Sequence, residues 1–171
     1  MKMIIVYSTR TGSTRACVDM LASKLQGNLD IEIYDVEQGA PSPEGYDFAV
    51  IGGSIRMCKL NKKLKAYMSE HATALNSIHT AVFLCCGFTE SFDDYVNLQV
   101  PKQVIPSLGI HCFGGELKPK KLKGMDKLVV KMLRSSITSA DFESPDPAAS
   151  PLPELIPENV YRLSDSIRAL L

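Results

Sequence analysis

Residues 8–14 crowd hydroxyl groups around a single glycine: Ser8, Thr9, Arg10, Thr11, Gly12, Ser13 and Thr14. They stand between an apolar β-branched run and a stretch of helical periodicity. At such a junction the backbone N–H groups and the dipole of the helix favour an anion, above all a phosphate. The hydroxyls of Thr9, Thr11, Ser13 and Thr14 can donate to the remaining phosphate oxygens, and Gly12 lets the backbone come close. An ordinary helix cap needs one hydroxyl, fewer than this cluster supplies. The ligand classes narrow by absence. There is no G-x-G-x-x-G and no G-x-x-x-x-G-K-[ST], so neither dinucleotide nor triphosphate fingerprints are present. The strand ends read Ser8-Thr9 and Gly52-Gly53-Ser54, without the acids of a receiver domain. No cysteine has an arginine six residues on, as a cysteine-dependent phosphatase requires.

The elements that must hold this loop follow from the apolar pattern. Runs at 2–7, 31–34, 46–53, 80–86 and 109–117 read as strands, most of them apolar throughout, as strands buried on both faces are. Between them, Cys17, Met20, Leu21 and Leu25 recur at helical spacing, as do Leu64, Tyr67, Met68, His71 and Leu75. A helix over 93–103 is interrupted by Pro101. Val160, Leu163, Ile167, Leu170 and Leu171 make a closing amphipathic helix. The alternation predicts an α/β, three-layer fold with a five-stranded parallel sheet and helices on both faces. Ligands of such sheets sit beyond the carboxyl ends of the strands, where the strand order reverses. Two further loops therefore matter. One runs through Ser54, Ile55, Arg56, Met57 and Cys58; the other holds Cys86, Gly87, Phe88 and Thr89. At 171 residues the chain is expected to be a single domain, with residues 118–156 as a basic and Pro-rich insertion before the last helix.

The segment Y-S-T-R-T-G-S-T (residues 7–14) resembles the FMN phosphate loop of flavodoxins. Together with G-G-S-I-R (52–56) and H-A-T-A-L-N-S (71–77), it makes roughly residues 1–135 similar to the flavodoxin-domain family that includes the menaquinone-dependent protoporphyrinogen oxidases. The resemblance implies a flavodoxin-like fold and FMN as cofactor. Residues 8–14 would then grip its phosphate, and Ser54–Cys58 and Cys86–Thr89 would flank its ring. Ile55 or Met57 would cover one ring face and Phe88 would stack on it, a contact of about 0.5–1.5 kcal/mol beyond area. Arg56 would partner a quinone, a porphyrin carboxylate or a surface acid. The family commonly has a glycine where a peptide turns over toward the flavin; Met57-Cys58 stand there instead. By the same resemblance the chain is an FMN-dependent oxidoreductase passing electrons from a porphyrinogen-type substrate to a quinone. The alternatives are a flavodoxin-type carrier docking on a redox partner protein, and a non-catalytic flavodoxin-fold interaction domain.

Charge and cysteines set the surroundings. Lys plus Arg and Asp plus Glu are 19 each, so there is no overall electrostatic footprint for nucleic acid. Carriers are usually strongly acidic, and a zero balance argues against that role. Residues 116–134 hold seven basic and two acidic residues, a local +5 against −5 elsewhere. An amphipathic stripe there could meet an anionic membrane surface, cover a substrate or pack on its own core. Cys17, Cys58, Cys85, Cys86 and Cys112 include no C-x-x-C spacing, and His71, His79 and His111 are scattered, so no metal site is expected. Buried thiols in a reducing cytosol, peripheral at most to the inner membrane face, are the expectation.

Overall fold

The computed structural model describes residues 1–115 and 154–171. Five strands, β1 (Lys2–Ser8), β2 (Asp30–Asp35), β3 (Phe48–Ser54), β4 (His79–Cys85) and β5 (Ile110–Cys112), form one parallel sheet in the order β2-β1-β3-β4-β5. Past its first residue, each of β1 and β4 is buried throughout, and β3 is buried up to Ser54. The edge strands β2 and β5 are half-buried. Continuous apolar runs suit strands covered on both faces, and helices cover both here.

One face carries α1 (Ser13–Leu25) and α5 (Pro157–Arg168). Cys17, Val18, Leu21 and Leu25 pack there with Val160, Leu163 and Ile167 over Met3, Ile5, Val50 and Phe83. Pro157 opens α5 at its first turn, where no intrahelical N–H is lost. Asn159 Nδ2 then donates to the Cys112 carbonyl at 2.7 Å, tying α5 to the edge strand. The other face carries α2 (Lys62–Glu70), α3 (Ala72–Ser77) and α4 (Phe92–Gln99), whose Leu64, Met68, Leu75 and Tyr95 pack over Ile4, Val6, Ile51 and Leu84.

The single helix expected around Leu64–Leu75 is bent into two. His71 sits at φ −102°, ψ 17°, yet its N–H still bonds Tyr67 O at 3.0 Å and its carbonyl accepts from Leu75 at 2.9 Å. Helix α4 ends at Gln99 and Val100 is extended, because the residue before a proline is driven out of the helical region. The fifth strand is three residues long. Gly114, at φ 71°, diverts the chain into an antiparallel bridge with Leu155. The basic stretch 118–134 and the Pro-rich stretch up to residue 153 lie outside the described residues.

Candidate functional site

The strand order reverses between β1 and β3, so α1 leaves for one face and α2 for the other, opening a crevice between them. Register places Ser8 beside Gly53 and Ser54 beside Cys85, bringing three strand ends to one level. Within the first loop, the Gly12 N–H donates to Thr9 Oγ1 at 3.1 Å. Gly12 has φ 94°, and a Cβ there would meet open space. Glycine is therefore dictated by the left-handed backbone and not by crowding. Its carbonyl accepts from Ala16 at 2.9 Å, which starts α1.

The start of α1 keeps its donors in reserve. No side chain caps it, and its first turn has no acidic residue. Helix α2, by contrast, is capped by Asn61 Oδ1 at the N–H groups of Lys63 and Leu64, 2.8 and 3.2 Å away. Helix α4 has Asp93 and Asp94 in its first turn. The N-terminal N–H groups and partial positive charge of α1 thus remain available to an anion. Ser8 and Ser13 are buried, and Thr14 is 0% exposed. Thr14 Oγ1 makes no hydrogen bond among the described residues. It lies close enough to the Cys85 thiol to draw that pKa downward against the stronger upward effects of Cys17 and burial, but without hydrogen-bond geometry. A buried hydroxyl left so costs about 1–3 kcal/mol. These are the features a phosphate needs, and they fit one.

Charge beside the loop has the matching sign. Burial lowers the Arg56 pKa, and the nearby charge of Arg10 lowers it further. The same Arg10 helps Lys63 and Asn61 hold the Glu37 carboxyl below its ordinary range. Arg10 is exposed; Thr9 and Thr11 are half-buried.

After β3 the chain is shaped by close contacts. A Cβ on Gly52 would fall 2.1 Å from the Phe83 ring, and one on Gly53 would fall 2.5 Å from Leu60 Cδ1. Both glycines belong to the strand and are required by packing. The Ile55 N–H donates to Cys85 O at 2.9 Å, locking this exit to that of β4. Arg56 and Lys59 then exchange two backbone bonds of 2.9 Å around Met57 and Cys58. Met57 and Cys58 have φ of 47° and 60°, the signs of a type I′ hairpin turn that Asn-Gly fills best. Met57 is 58% exposed.

The exit of β4 splits its cysteines: Cys85 belongs to the α1 face and Cys86 to the α2 face. Gly87 and Phe88 are half-buried and Thr89 is exposed; a 3₁₀ turn, Thr89–Ser91, leads into α4. A Cβ on Gly115 would lie 2.6 Å from both the Cys86 carbonyl carbon and the Gly87 nitrogen, so the exit of β5 lies against this loop.

A family model described as "Flavodoxin domain" matches residues 4–144. The chain belongs to the flavodoxin-domain family. Among curated relatives, this flavodoxin domain is 38% identical over 88 residues to protoporphyrinogen IX dehydrogenase [quinone] of Escherichia coli strain K12, covering 48% of this chain and 47% of that protein. The match thus spans about half the length of the curated relatives. Among solved structures, the Streptococcus pneumonia TIGR4 flavodoxin superposes with a TM-score of 0.52 at 13% identity, each chain being covered completely. A Fusobacterium nucleatum flavodoxin bound to flavin mononucleotide gives a TM-score of 0.46 at 12% identity over 99% of this chain and 98% of that one.

In this flavodoxin domain the three loops expected to form a site are neighbours. The sequence-selected residues are placed unequally. Residues 8–14 surround the α1 terminus, and Met57, Cys58, Phe88 and Thr89 keep exposed surface at the strand ends. Ile55 is half-buried and packs against the core on the α2 face. Three residues carried no sequence signal. Cys112 comes 3.6 Å from Cys86. Tyr95, its hydroxyl pKa raised first by burial and then by Cys58, also lies near Cys86. Gly115 packs on the β4 exit. The register of β4 with β5 brings Cys112 there, α4 brings Tyr95, and the exit of β5 brings Gly115.

Proposed function

We propose that this domain binds FMN non-covalently and carries electrons from a porphyrinogen-type donor to a quinone. The observation that carries the reading is the buried, unpartnered Thr14 hydroxyl beneath the uncapped start of α1. The partial match to protoporphyrinogen IX dehydrogenase [quinone] supports the choice of donor and acceptor. When bound, FMN supplies a ring that accepts a hydride equivalent and releases its electrons to an acceptor.

The chain's own residues then have defined tasks. Thr9, Thr11, Ser13 and Thr14, with the first N–H groups of α1, hold the phosphate. Arg10 and Arg56 favour an anionic donor approaching the same crevice. Ile55 or Met57 would cover one ring face and Phe88 would stack on it. The basic stretch 118–134 is proposed to meet the anionic, cytoplasmic membrane face, where a quinone resides.

Turnover of protoporphyrinogen IX with a menaquinone analogue by FMN-loaded protein tests the reading; donor-dependent quinone reduction is expected. Flavin binding without turnover, together with reduction by a flavodoxin reductase, would select the electron-carrier alternative. Absence of flavin binding would leave the interaction-domain alternative. For the membrane contact, liposome co-sedimentation should fall when residues 118–156 are deleted; unchanged sedimentation would remove it.

A further inference from the structure

Four of the five cysteines meet in two pairs, one on each face of the sheet. Cys17 and Cys85 lie 3.8 Å apart, sulfur to sulfur, under α1, with 0% and 3% exposure. Cys86 and Cys112 lie 3.6 Å apart on the opposite face, where Cys112 is half-exposed. Both pairs are free thiols.

We propose that Cys86 and Cys112 form a reversible dithiol–disulfide site that reacts with small disulfides such as oxidised glutathione, while Cys17 and Cys85 do not react. The geometry carries this. Closing the pair to a bond of about 2.05 Å requires the sulfurs to approach by about 1.5 Å. Cys112 belongs to a three-residue edge strand with one strand neighbour, and Cys86 lies in the exit of β4, where no strand pairing holds it. Neither sits in mid-sheet between two paired strands. Access separates the pairs. A disulfide must reach the attacking sulfur, and only the second pair offers a half-exposed one.

Acidity points the same way. The Cys112 thiol is held down by its contact with Cys86 and further by the Gly114 N–H. The Cys86 thiol is pushed up by Cys112 and by burial. The half-exposed Cys112 is therefore the attacking thiolate and the buried Cys86 the resolving thiol. In the first step Cys112 sulfur bonds to one sulfur of the disulfide, whose other half leaves as a thiolate. That thiolate takes the Cys86 proton. Cys86 sulfur then attacks Cys112 sulfur and expels the second half, which leaves as a thiolate and takes up a proton from solvent. Overall, two cysteine thiols are oxidised to one cystine and one disulfide is reduced to two thiols.

The inference does not need the flavin reading, although the bond would sit two residues before Phe88 and against Gly115. The full-length chain is equilibrated with oxidised glutathione, quenched by alkylation, denatured and mapped by peptide mass spectrometry. The expected result is a Cys86–Cys112 cystine, a loss of those two free thiols counted apart from the exposed Cys58, and full recovery with dithiothreitol. Cys86→Ser should trap glutathione on Cys112, and Cys112→Ser should leave Cys86 unmodified. Persistence of five free thiols, oxidation confined to Cys58, or a Cys17–Cys85 cystine forming first would overturn the proposal. So would Cys86→Ser protein with an unmodified Cys112.

Discussion

Replacing Thr14 with valine separates the loop's own stability from its affinity for a ligand. Valine keeps the β-branched shape and removes the hydroxyl that is fully buried and unpartnered. In the ligand-free protein that hydroxyl costs about 1–3 kcal/mol, so its removal should stabilise the fold. Taking about 1 kcal/mol, the melting temperature of a chain of this length rises by about 2–4 °C. A hydrogen bond to a charged phosphate oxygen is worth about 1.5–3 kcal/mol, so FMN affinity should fall by about 10- to 150-fold. The two effects oppose each other in one melting experiment. At FMN a hundredfold above the wild-type Kd, wild type gains about 2.7 kcal/mol, and a variant weakened a hundredfold gains only about 0.4 kcal/mol. Valine should therefore melt higher than wild type without FMN and lower with it. Thermal melts with and without FMN, paired with flavin fluorescence titrations, read both quantities. A variant that melts lower without ligand and binds FMN as wild type does would refute the reasoning, because the hydroxyl would then be satisfied within the fold.

Cys58→Gly should raise the melting temperature by about 2–8 °C, since each non-glycine residue held left-handed costs about 1–2 kcal/mol; Met57→Pro, which cannot reach φ 47°, should lower it sharply. Gly53→Ala forces a methyl against Leu60 and Leu64 and should cost about 1–3 kcal/mol, seen as a lower urea midpoint at unchanged slope. Glu32 accepts from Tyr34 and Tyr46 hydroxyls at 2.6 and 2.9 Å, and these bonds hold its carboxyl below the ordinary 4.5. A depressed folded pKa stabilises above the unfolded value and is lost as pH falls through the folded one. Melting curves of wild type and Glu32→Gln should therefore separate above pH 4.5 and converge in more acid solution; a constant separation would contradict this.

The sheet was readable because β1, β3 and β4 are apolar from end to end, and only strands sandwiched between helices tolerate that. The loop before α1 stood out in the sequence because residues 8–14 crowd five hydroxyls around one glycine. Other features depend on pairing across the fold. Nothing local shortens the fifth strand; it ends because Gly114 turns toward Leu155, a partner some forty residues on. Ile55 was chosen for a ring face; its half-buried contact with the α2-face core follows from its bond to the β4 exit, which the local sequence does not show. The glycines at 52 and 53 were legible as the end of the third strand, but only Phe83 and Leu60 explain why glycine stands there. Cys86 and Cys112 are remote in sequence and meet only through strand register.

The bridge between Gly114 and Leu155 is reinforced by the Gly115 N–H on Glu154 O at 3.2 Å and the Ile156 N–H on Phe113 O at 2.9 Å. This clasp fixes where residues 116–153 depart and where they come home, a few ångströms apart. The entropic toll of a closed excursion grows only logarithmically, about 0.6 kcal/mol per doubling. A change in the length of the stretch beyond the clasp should thus add little closure entropy, its two ends being pinned together between the sheet and the last helix.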